Sequence, residues 1–117
     1  MTLTYGLEHD TWLAAIAEIR AILRKSARKQ TLINYGEVTG QMEVIRAHPG
    51  AYVFTAMLQQ ACREEEHDTG VQPCALVVSK ATGKPGAGYF RGMPCADNLD
   101  DCWQDEVAAV YQYYANE

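Results

Sequence analysis

From Trp12 onward, apolar residues recur every three or four positions: Trp12, Ile16, Ile19, Leu23 and Ala27 share one stripe, which Leu13 and Ile22 widen. That period lines one face of an α-helix, and Asp10 is its expected N-cap. Thr31-Leu32-Ile33 then reads as a short extended segment. Asn34-Tyr35-Gly36-Glu37 has an N-cap residue with glutamate three positions on, a capping box opening a short helix to about Arg46 with Val38, Met42 and Ile45 on its apolar side. His48-Pro49-Gly50 interrupts the pattern, and Pro49 suits the first position of a third helix, from about Gly50 to Asp68, stopped by Gly70. Val53, Phe54, Met57, Leu58 and Ala61 form its expected core face, with Thr55, Gln59, Gln60 and Arg63 more exposed.

Between Pro73 and Arg91 the period changes. Cys74-Ala75-Leu76-Val77-Val78 is short and β-branched at its end, and Tyr89-Phe90-Arg91 follows a segment holding Gly83, Pro85, Gly86 and Gly88. This predicts a β-hairpin with a basic, glycine-rich tip, the ribbon on which the helices pack. A last helix begins at Asn98, with Leu99, Trp103, Val107, Val110, Tyr111 and Tyr114 as its stripe and Asp100, Asp101 and Asp105 near its N-terminal end. The order of elements is that of an α+β, winged helix-turn-helix-like domain: mostly helical, one β-hairpin as the wing, and an added C-terminal helix. The 117 residues form one such domain, 1–117.

Composition adds little to this picture, but charge distribution adds more. The net charge is −5, yet Arg20, Arg24, Lys25, Arg28 and Lys29 form an acid-free cluster, and Lys80, Lys84 and Arg91 give the hairpin a basic tip. From Gly92 onward there are six acids and no base. Such polarity suits a cationic face for a polyanion, and equally two solvated helix faces. No apolar run approaches the roughly 18 residues of a membrane span, and the start lacks a signal-peptide pattern. A soluble, unexported, cytoplasmic protein with no membrane partner is expected. Cys62, Cys74, Cys95 and Cys102 show no C-x-x-C spacing and read as reduced thiols, three of them in apolar segments.

Two resemblances attach to these residues. Tyr35-Gly36-Glu37-Val38, Pro73-Cys74, Val77-Val78 and Gly88-Tyr89 faintly resemble the winged C-terminal domain of the O6-alkylguanine-DNA alkyltransferases. In that family the proline-cysteine pair is followed by histidine and arginine, and the cysteine is the alkyl acceptor. Here Ala75 and Leu76 occupy those places, so the activating base is missing and Cys74 reads as a packed strand residue. The chain more closely resembles a family of small uncharacterised bacterial proteins. The shared pattern is Tyr35-x-Glu37-Val38, Pro73-x-Ala75-Leu76-Val77-Val78-x-Lys80, Thr82-Gly83-x-Pro85-Gly86-x-Gly88-Tyr89-Phe90 and Trp103-x-x-Glu106. That resemblance implies a fold and carries no activity.

Candidate chemistry is thin. Glu64-x-x-His67, with Asp68, has the helical spacing of a metal carboxylate site but lacks a matching second copy. Cys62, His67 and Cys74 match no compact zinc module. The glycine-rich loop does not have P-loop spacing. No enzyme activity, metal or cofactor is expected. Glu64, Glu65 and Glu66 stand near a helix C-terminus, against the helix dipole, and so call for compensation from the basic end of the first helix or from a basic partner. A non-enzymatic binding module follows. Nucleic acid would be read by Gln59, Gln60 and Arg63 and held by Lys80, Lys84 and Arg91. The alternative is a protein-interaction module, homodimeric or with another protein, using Glu64, Glu65 and Glu66 and the tyrosine-bearing C-terminal helix.

Overall fold

A computed structural model describes residues 3–4, 6–91, 95 and 98–115. Its element order is β1 (Leu3–Thr4), β2 (Leu7–Glu8), α1 (His9–Arg28), β3 (Ile33–Asn34), α2 (Tyr35–Gln41), α3 (Tyr52–Thr69), a 3-10 turn (Pro73–Leu76), β4 (Val77–Val78), α4 (Ala87–Arg91) and α5 (Leu99–Ala115). The protein is mostly helical with very small sheets, an α+β chain with a C-terminal helix.

The helices follow from local signals. The α1 stripe buries Trp12, Ile16, Ile19, Ile22, Leu23 and Ala27, whereas Leu13 is 45% exposed and does not widen it. Glu8, not Asp10, holds the N-cap position, and Asp10 lies in the first turn. At α2 the capping box is complete: Glu37 N donates to Asn34 Oδ1 at 2.8 Å and Asn34 N donates to Glu37 Oε1 at 3.0 Å. This helix ends at Gln41, short of Arg46, and Val38 is its buried residue. Pro49 precedes α3 without starting it: Ala51 N donates to His48 O at 2.9 Å in a turn, and Ala51 is the N-cap. Gly70 ends α3 in the left-handed conformation, φ 80°, where glycine carries no Cβ penalty.

The expected hairpin over 73–91 is not formed, and this is the main correction to the sequence reading. Pro73 opens a 3-10 turn, and Val77–Val78 pairs in parallel with Ile33–Asn34, not with the Tyr89 segment. Ser79 N to Lys84 O (2.8 Å) and Gly83 N to Ser79 O (2.7 Å) close the loop on itself. Tyr89, Phe90 and Arg91 then turn helical in α4. A two-residue β-branched run needs a partner strand but does not name it; the partner here lies far up the chain, so no wing forms.

Two apolar clusters result. One joins α1, α2 and α3 through Ile16, Ile19, Leu23, Val38, Phe54 and Met57; the other joins the end of α1, the 3-10 turn and α5 through Ala27, Leu76, Trp103, Val107 and Val110. Trp103 Nε1 donates to Ala75 O at 2.8 Å, fixing α5 on the turn. The cysteines are paired, Cys62 with Cys74 and Cys95 with Cys102, so the expectation of free thiols is corrected. The first bridge ties α3 to the 3-10 turn. No described helix is long and apolar enough to cross a membrane.

Candidate functional site

The acidic end of α3 is answered from within. Glu65, 1% exposed, accepts from Arg20 Nε at 2.6 Å and also from Arg24 and the Tyr114 hydroxyl. Arg20 further pairs with Glu64 at 3.1 Å and Asp68 at 2.5 Å. Burial alone would raise the Glu65 pKa; the hydrogen bonds from Arg24, Tyr114 and Arg20 outweigh it and hold the carboxyl below its ordinary value. Glu65 is therefore closed to a partner, while Glu64, its side chain 39% exposed, is paired with Arg20. Tyr114 is buried in this network, Tyr111 is half-buried, and Tyr113 remains exposed. The basic end of α1 is thus in part the internal counter-charge for α3.

The proposed nucleic-acid residues are dispersed. Gln60 is committed inside, accepting from Trp12 Nε1 at 3.0 Å and donating to Glu64 at 2.9 Å. Lys84 pairs with Asp100 at 2.8 Å, tying the loop to the start of α5. Lys80 and Arg91 are exposed, one in the loop and one at the end of α4. Gln59 and Arg63 are exposed on α3 and border a cleft. The metal candidates are not assembled either. Glu64 and Asp68 are occupied by Arg20, Cys62 and Cys74 are bonded to each other, and no group of three or more His, Cys, Asp or Glu among the described residues is placed to hold a metal ion. Cys74 sits in the 3-10 turn with its sulfur in a disulfide, so it is neither a strand residue nor a nucleophile.

What the structure does assemble is a cleft of about 620 Å³ between α3, α4 and α5. Leu58, Val77, Pro49 and the Cys62–Cys74 bridge line it with apolar surface, and Gln59, Arg63, Glu66, Tyr89 and Glu106 supply polar groups. The loop before α4 is held there by Gly86 N donating to the Tyr35 hydroxyl at 3.2 Å. A Cβ at Gly86 would lie 3.1 Å from that same oxygen, so a side chain there would push the Tyr35 hydroxyl back by a few tenths of an ångström. The Tyr89 hydroxyl is buried with no hydrogen-bond partner among the described residues. Burial and then the charge of Glu106 push its pKa upward. Burial, and then Glu66, push the Glu106 carboxyl up as well. The arrangement can accept hydrogen bonds, and it holds unneutralised charge beside apolar walls.

Glu106 and Tyr89 stand in the shared sequence pattern, but neither was given a functional role from sequence. One signal did exist: Glu106 lies three residues after Trp103 and four before Val110, on the apolar side of α5, where an acid needs a reason. No protein-family model matches the chain, and no curated protein or solved structure matches it.

Proposed function

We propose that the protein is a non-enzymatic interaction module that holds a partner protein in the cleft between α3, α4 and α5. The observation supporting this reading is the concentration of unpaired polar groups, Glu66, Glu106 and the Tyr89 hydroxyl, on an apolar-walled concavity, while the rest of the acidic helix end is internally paired. A concave, mostly apolar site with a few convergent polar groups is what a side chain of a partner requires. A second reading, contact with nucleic acid, is favoured by the exposure of Lys80 and Arg91, which would act as phosphate contacts from a basic loop and α4 in place of a wing.

Gly88 supplies the test. It borders the cleft, and a Cβ there meets only Arg91 at 3.9 Å, so Gly88→Trp fills the cleft mouth without entering the core. Fluorescence anisotropy with a labelled degenerate peptide pool and with labelled duplex DNA separates the readings. The cleft reading expects peptide binding that Gly88→Trp abolishes. Salt-sensitive DNA binding that Lys80→Glu weakens, with no peptide binding, would turn the assignment to nucleic acid.

A further inference from the structure

Among the described residues five carboxylates are partly or fully buried: Glu18, Glu64, Glu65, Glu66 and Glu106. Three have partners. Glu18 accepts from the backbone of Glu43 and Val44 at 2.8 and 3.2 Å, Glu64 from Arg20 and Gln60, and Glu65 from Arg20, Arg24 and Tyr114. Glu66 and Glu106 have no hydrogen bond or ion pair among the described residues, and both line the cleft. Tyr89, whose buried hydroxyl has no hydrogen-bond partner among the described residues, lines it too. The half-buried acceptors that the fold leaves unanswered therefore meet in one place.

Resting on the cleft reading above, we propose that the group seated there is the primary ammonium of a partner protein's lysine side chain, donating to Glu66 and Glu106 beside the Tyr89 ring. An ammonium carries three N–H donors and no acceptor, which suits two carboxylates that only accept, and its four-carbon stem suits the wall made by Leu58, Val77 and the disulfide. Arg63 at the exposed rim makes no ion pair with either carboxylate, and its single charge leaves the lining net negative. An unpaired half-buried charge costs stability, and a charge-assisted hydrogen bond to a cation removes that cost on binding.

The test is an NMR titration of the full chain with a capped Gly-Ala-Lys-Ala-Gly peptide. The comparison ligands are the same peptide carrying Nε-acetyl-lysine or norleucine, free n-butylamine, and calcium chloride. The lysine peptide should shift cleft amides and bind at least about tenfold more tightly than either modified peptide. Glu66→Gln and Glu106→Gln should each lose about tenfold, and Tyr89→Phe, which removes only a buried hydroxyl, should change affinity little. Affinity should rise with pH above the ordinary carboxylate range, because Glu106, its pKa raised by burial and Glu66, must ionise in a cleft that Glu66 and Arg63 of α3 and Tyr89 of α4 also line. A norleucine peptide that binds equally well overturns the ammonium assignment and leaves the cleft reading standing. Butylamine or calcium binding as tightly as the peptide overturns the protein side chain as its source. If no peptide shifts any cleft amide, both readings fall. Should the glutamine variants not fold, the acetyl-lysine and norleucine comparisons on the wild-type chain decide the matter.

Discussion

Glu65 and Glu106 are carboxylates on neighbouring helices, and their surroundings drive them in opposite directions. Glu65 is buried but receives two guanidinium groups and a phenol; Glu106 is half-buried beside a like charge and receives none. The Glu65 pKa is held below its unfolded value, so its contribution to stability is present above the ordinary carboxylate range. That contribution is lost as pH falls through the depressed folded value. Glu65→Ala leaves Arg20 and Arg24 without their shared partner and should cost about 3 kcal/mol in urea denaturation at neutral pH. The variant should also show a flatter acid limb, and a wild-type acid limb would contradict the assigned role. Glu106 has the opposite sign: with its folded pKa raised, ionisation opposes folding, and stability increases as pH falls through that raised value. Glu106→Gln should therefore leave the protein at least as stable as wild type at neutral pH, with a small gain in midpoint. A clear loss would mean that the carboxylate has a structural partner.

At the scale of elements, the Cys62–Cys74 bridge joins α3 to the 3-10 turn across a sequence separation of 12 and forms part of the cleft wall. Replacing both cysteines with serine should lower stability by about 3 kcal/mol, read by denaturation of oxidised wild type and variant side by side. Equal stability would argue that the tether constrains nothing. The local signals were legible in the sequence: the Asn34–Glu37 capping box, the Gly70 stop and the α1 and α5 stripes are set by residues a few positions apart. The Pro73–Arg91 segment was not. Its strand pairs in parallel with Ile33–Asn34, and its glycines serve a self-closed loop and a close approach to Tyr35, contacts that no local period encodes. The cysteine pairing was hidden for the same reason, since spacing along the chain gave no indication that Cys62 and Cys74 meet.

For the whole molecule, the polarised charge seen in the sequence resolves into an internal bond and an open remainder. The basic side of α1 neutralises Glu64, Glu65 and Asp68 and, through Tyr114, brings α5 into the same network. What is left over, Glu66 with Glu106 and Tyr89, collects where α3, α4 and α5 leave space. Only the internal pairing of Glu64 and Glu65 was visible in advance, as one of two alternatives for the acidic triplet. The cleft was not, because Tyr35, Glu66, Tyr89 and Glu106 come from four separate helices. The measurement that bears most directly on this account is amide chemical-shift mapping of the protein with the lysine peptide at neutral pH. The account predicts shifts gathered on Glu66, Tyr89, Glu106 and Val77 and absent from the exposed side of α1; shifts gathered instead on Lys25, Lys29 and Lys80, or no shifts at millimolar peptide, would contradict it.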